Sequence, residues 1–156
     1  MIPALIASFL ITLAPTEITV SAEDISWDLE AWKKLPQVKV SVVEQGKTTV
    51  YAGIPLAHLI KTQLPGKNQM VELRALSDTV LVVGATDGYQ AVLAATAVAM
   101  DPKGERFLLA FERDGKPLGE NQGPARLIVP GDPQRVRWVR MVNSLQLIRL
   151  NSRKSR

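Results

Sequence analysis

Apolar and polar residues alternate through VKVSVV at 38–43, with Val38, Val40 and Val42 set against Lys39 and Ser41. That period of two predicts a half-buried strand. Gln45-Gly46-Lys47 interrupts it as a turn, and TTVYAG at 48–53 resumes it, so the two segments form a predicted hairpin. The period then lengthens. In GIPLAHLIKTQLPG, Leu56, Leu59, Ile60 and Leu64 recur at helical spacing behind Pro55, and Pro65-Gly66 closes the segment. His58 falls beside that apolar face rather than on it, which favours a surface or boundary histidine over a catalytic one. Ahead of the hairpin, SWDLEAWKKLP at 26–36 reads as a short helix with Ser26 as its N-cap, acids early and lysines late.

The rest of the chain is strand-rich. VELRALSDTVLVVGATDGYQAVLA at 71–94 predicts two or three strands, and TVLVVGA is apolar enough to be buried on both faces. AATAVAM at 94–100 is compatible with a short helix or a strand. RFLLAFERDGKPL at 106–118 reads as a strand followed by an Asp114-Gly115 turn, and ARLIVP at 125–130 as another strand. VRWVRMVNSLQLIRL closes on a strand about Leu145, Leu147 and Leu150. Asp87, Asp101, Asp114 and Asp132 all sit in turn contexts, where aspartate is favoured for its bonds to nearby backbone. The pattern implies one α+β domain in which strands dominate, and 156 residues suffice for a single core.

Composition removes much chemistry. The chain has no cysteine and one histidine, which excludes disulfides, thiolate ligands, thiol nucleophiles and histidine-cluster metal sites. No phosphate loop, dinucleotide glycine fingerprint, zinc spacing or calcium loop occurs. The formal charge of +4 is uneven: from Arg113 onward ten Lys/Arg face three acids, and the basic tail at 151–156 is part of that excess. A basic C-terminal half suits an anionic ligand or an acidic protein partner. The three tryptophans are too scattered for a stacking stripe, so nucleic acid is not expected.

At the N-terminus the apolar stretch Ile2–Ala14 is too short for a stable membrane span. Residues 1–22 resemble an export signal ending in Val20-Ser21-Ala22, without a basic n-region, and the cut can fall as early as residue 14. The competing reading is a first strand containing Glu17-Ile18-Thr19-Val20. An export signal implies a periplasmic or secreted protein.

The densest candidate chemistry is GPARLIVPGDPQRVRWVRM at 123–141, where Arg126, Arg135, Arg137 and Arg140 surround a Pro-Gly-Asp-Pro turn and Trp138. Guanidinium forks suit two-point contacts to phosphate or carboxylate. Strand alternation across 135–138 would put Arg135 and Arg137 on one side, with Val136 and Trp138 on the other. Two functions fit that spacing equally: an anion cradle, or pairing with acids such as Asp132 and Glu112.

Taken in order, Tyr51-Ala52-Gly53-Ile54-Pro55-Leu56, Asp87-Gly88-Tyr89, FERDGKPL at 111–118, GPARLIVPG at 123–131 and RVRWVRMVNSLQL at 135–147 resemble the sulfite oxidase-type molybdopterin-binding domain over residues 17–150. The resemblance implies a compact α+β fold with a mixed β-core, short helices and a buried pterin pocket. It implies molybdopterin as cofactor, with molybdenum held by a cysteine on the strand before the x-G-x-P-L segment. Here that position falls at or near Ser41, whose oxygen is a harder and far less acidic donor than a thiolate. Basic residues near the final R-x-V-x-W segment meet the pterin phosphate in relatives, and Arg135, Arg137 and, more loosely, Arg126 match them.

Three functions follow as expectations. The first is an exported, non-redox domain that binds a small anionic ligand or a protein partner. The second is a molybdopterin-dependent oxidoreductase with Ser41 or water completing the metal sphere, and the third is an interaction module whose basic face meets an acidic protein.

Overall fold

The computed structural model describes residues 19–64 and 69–151. The N-terminal apolar stretch and the tail beyond 151 lie outside the described residues, as does the Pro65-Gly66 helix stop. Nine strands and four short helices occur among the described residues, and every strand pairing is antiparallel. One sheet runs in the order β1 (Thr19–Asp24), β9 (Val142–Asn151), β4 (Thr79–Ala85), β5 (Gln90–Ala94). The other runs β2 (Val38–Glu44), β3 (Lys47–Pro55), β6 (Leu108–Arg113), β7 (Lys116–Pro117), with β8 (Arg126–Ile128) also paired to β6.

The hairpin forms where the alternation predicts it. Gln45 and Gly46 both take positive φ, 50° and 77°, the geometry of a tight two-residue connection, so Lys47 already belongs to β3. Residues Val40 and Val42 go inward, while Lys39, Ser41 and Val43 stay exposed on the outer strand. Val20-Ser21-Ala22 lies inside β1, paired with Leu150, Arg149 and Ile148 of β9.

Three local expectations are corrected. The first helix, α1 (Leu29–Lys33), is capped by Asp28 rather than Ser26: the Asp28 carboxylate accepts from the Ala31 amide at 3.0 Å. Within 71–94, residues through Ala75 form a helix, α3 (Gln69–Ala75), and only the remainder is strand. Glutamate, leucine, arginine and alanine are strong helix formers, and that preference outweighs the alternation in VELRA. The third correction decides the site. Residues 129–141 are a chain of turns, in which the amides of Asp132, Arg135 and Trp138 each bond the carbonyl three residues back. Strand alternation therefore does not govern the arginines.

One core unites both sheets. Leu81, Val83, Leu93, Leu145 and Leu147 face it from the first, and Tyr51, Ile54, Leu108, Leu109, Leu127 and Ile128 from the second. Helix α2 (Leu56–Thr62) buries Leu56, Leu59 and Ile60 against it and packs on α4 (Ala95–Ala99). Gly53 marks the closest backbone approach, since a Cβ there would overlap the Leu109 carbonyl of β6. The strand register shifts at that point, between Ala52 and Gly53.

Candidate functional site: an arginine cluster around Glu44 and Trp138

Inward alternation of Thr49 and Tyr51 on β3 places the Tyr51 ring in the core, fully buried. A buried phenol needs a partner for its hydroxyl. Tyr51 Oη donates to Glu44 Oε2 at 3.0 Å and accepts from Arg126 Nη1 at 2.9 Å. Glu44 stands at the end of β2, with its side chain only 11% exposed. Arg113, at the end of β6, pairs with its Oε2 at 3.4 Å, and Arg135 pairs with its Oε1 at 3.2 Å. Arg135 Nη2 also donates to the Val43 carbonyl at 2.9 Å.

Trp138 forms the second half of the cluster. Its Nε1 donates to the Val129 carbonyl at 2.6 Å, which fixes the indole beneath the loop. The Arg126 and Arg135 guanidiniums lie over its ring at 5.3 and 4.9 Å from the centroid, and the Tyr51 ring meets it edge-on at 6.2 Å. Arg135 reaches this position because its backbone is left-handed, with φ at 52°, which turns the side chain back toward β2.

The electrostatics are unbalanced. Three guanidiniums converge on one carboxylate, two directly and one through the phenol, leaving two positive charges unmatched. Burial lowers the Arg126 pKa from the ordinary arginine value; Tyr51 and Glu44 oppose the shift, while Arg113 and Arg140 add to it. Its Nε is buried with no hydrogen-bond partner among the described residues. Burial raises the Tyr51 pKa, Arg126 opposes the rise, and the bond to Glu44 adds to it.

Two clefts open beside the cluster and share Arg135. One, of about 340 Å³, is lined by Ser41, Val43, Pro130, Asp132 and Trp138 as well as Arg135. The other, of about 580 Å³, lies at the hairpin turn and is lined by Glu44, Lys47, Thr48, Thr49 and Arg113 with Arg135.

The four residues singled out from the sequence thus meet in part. Ser41 is exposed and shares the smaller cleft with Arg135, and Arg126 lies against Trp138, which lines that cleft. Arg137 goes elsewhere: its guanidinium sits 3.5 Å from Asp132, whose carboxylate also accepts the Arg137 amide at 2.9 Å. Arg135 and Arg137 do not share a face, and Trp138 is buried while Val136 is 60% exposed. Asp132 is a true partner of the loop, whereas the acid that holds Arg135 is Glu44 and not Glu112. His58 is exposed on α2 and takes no part. Asp87, Asp101 and Asp114 each accept a backbone amide: Asp87 from Tyr89, Asp101 from Arg106 and Phe107, and Asp114 from Val50.

Sequence reasoning misses Glu44, Tyr51 and Arg113. The one available signal is Tyr51, an inward tyrosine on an alternating strand that demands a polar neighbour. One such neighbour, Glu44, is seven residues away on the same hairpin, whereas the other, Arg126, is 75 residues away and has no local signal.

The residues present do not fit a molybdenum centre held as the resemblance implies. The chain contains no thiolate, Ser41 offers a hard hydroxyl at an exposed strand position, and no three His, Asp or Glu side chains converge among the described residues. Among the described residues no helix is long and apolar enough to cross a membrane.

No curated protein matches the chain. A family model described as oxidoreductase molybdopterin binding domain matches residues 30–155. That span takes in the hairpin, the x-G-x-P-L turn into α2, and every member of the arginine cluster. By this match the chain belongs to the oxidoreductase molybdopterin-binding domain family.

Proposed function

We propose that this family member binds a small anionic ligand through its arginine cluster and does not carry out molybdenum redox chemistry. The observation that supports the reading is the sharing of Glu44 among Arg113, Arg135 and, through Tyr51, Arg126, beside two open clefts. A cluster used only for stability has no need of two surplus cations, since like charges at such range repel. An acid placed outside the protein relieves that repulsion and gains charge-assisted hydrogen bonds. The absence of cysteine supports the second half of the proposal.

The test is calorimetric titration of the purified chain with inorganic phosphate and with short carboxylates at low salt. Saturable binding that weakens in R135A and R126A supports the reading; unchanged binding in both variants overturns it. Elemental analysis of protein made in a molybdenum-cofactor-competent host tests the rest, since about one molybdenum per chain would restore the enzyme reading. An acidic protein partner would engage the same cations, and is favoured instead if no small anion binds while a partner is captured and lost with R135A.

We also propose that the protein is exported to a periplasmic or secreted location, on the strength of the apolar Ile2–Ala14 stretch and the small-residue pattern that follows it. Mass analysis of the mature N-terminus checks this. Retention of Met1 would overturn it.

A further inference from the structure

We propose that Glu44 is the specificity-determining residue of the larger cleft, and that it selects ligands bearing two linked carboxylates over those bearing one. The inference rests on the anion-binding reading above and deepens it. Glu44 already occupies the place an incoming carboxylate would take, with one oxygen on Arg113 and the other on Arg135. Its tether to β2 and its bond from Tyr51 hold it there at an effective concentration that a free monocarboxylate does not match. Displacing it exchanges one carboxylate for another and strands an acid that is 11% exposed.

The remaining donors lie on the outer sides of the same arginines. Arg113 and Arg135 are 45% and 39% exposed, and with Lys47 they border the cleft of about 580 Å³. A single small carboxylate reaches one of these cations and meets the repulsion of Glu44. Two carboxylates on one short frame reach two cations at once, the second contact being made at the high effective concentration that the frame sets. The hydroxyls of Thr48 and Thr49 and the amide of Gln45 line the same cleft and supply neutral donors. Asp114 lines the same cleft, its carboxylate accepting the Val50 amide at 2.9 Å, and its charge directs the ligand toward Arg113, Arg135 and Lys47.

The test compares malonate with acetate by calorimetry on the full chain and on Glu44→Gln. Wild type is expected to favour malonate by tenfold or more. In the variant, acetate affinity rises by about tenfold and the preference collapses, because a single carboxylate can then displace the neutral amide and bridge Arg113 and Arg135 as Glu44 does. If wild type binds both and Glu44→Gln leaves the ratio unchanged, Glu44 does not select and the inference fails, while the anion-binding reading survives. If neither protein binds either carboxylate, and phosphate also fails, both fall together. Should Glu44→Gln not fold by circular dichroism, Tyr51→Phe loosens Glu44 without removing it. A severalfold rise in acetate affinity is then expected, and no rise overturns the proposal.

Discussion

The Arg135 guanidinium meets the Glu44 carboxylate at 3.2 Å across 91 residues of chain. The contact ties the turn-rich loop at 129–141 to the end of β2, and it holds the acid that Arg113 also needs. Glu44→Ala leaves three cations facing one another, with an expected stability loss of about 1–3 kcal/mol, toward the lower end because the arginines are partly exposed and screened. Denaturant midpoints check it. The loss should shrink in roughly 0.5 M salt, where a Debye length of only a few ångströms mutes the repulsion.

Trp138 is expected to matter more for stability than any single arginine. Its indole is 8% exposed, bonds the Val129 carbonyl and carries two guanidiniums. Trp138→Phe keeps most of the packing but removes one of the two donors to the Val129 carbonyl, which still accepts the Asp132 amide, for a cost of about 0.5–1.5 kcal/mol. Trp138→Ala adds a cavity and is expected to cost about 3–5 kcal/mol. Thermal melts of the two variants distinguish the contributions.

Tyr51 gives the stability a defined alkaline limit. Its folded pKa is raised, by burial first, while in the unfolded chain it titrates near the ordinary value of about 10. Below that value both states hold the proton and the contribution is complete. Above it the unfolded chain releases the proton first, so stability falls as pH climbs from about 10 toward the raised folded value. Melting temperatures from about pH 8.5 to 11 should decline more steeply in wild type than in Tyr51→Phe. Parallel curves would refute the assignment.

Gly53 is predicted to be irreplaceable in the x-G-x-P-L segment. A methyl group there collides with the Leu109 carbonyl, which is backbone and cannot rotate away. Gly53→Ala should cost more than the roughly 1–3 kcal/mol usual for overpacking, read as loss of soluble folded protein or a sharply lower midpoint.

Much of the fold is legible from the hydrophobic pattern. The hairpin, the apolar run at 79–85 and the helix after Pro55 follow from periodicities that tertiary packing leaves intact. Helix α3 is not legible by pattern, because seven residues are too few to separate a period of 3.6 from one of two. The site was half visible: clustered arginines announce themselves, but their direction does not. The left-handed backbone at Arg135 reverses the face that alternation assigns, and residue type gives no warning, since the region ordinarily favours glycine or asparagine. Glu44 is silent because its cations arrive from β6, β8 and the loop before β9.

Strand β2 lies at the margin of its sheet, and one of its outward carbonyls, that of Val43, is taken by Arg135. Open sheet margins recruit strands from neighbouring molecules, and a bulky cation parked on the rim discourages that recruitment. Arg135, which faces both clefts, is therefore expected also to oppose lateral strand pairing at this rim. Whatever draws Arg135 off Val43 bares the rim, so light scattering at high protein concentration becomes an independent gauge of where that side chain rests.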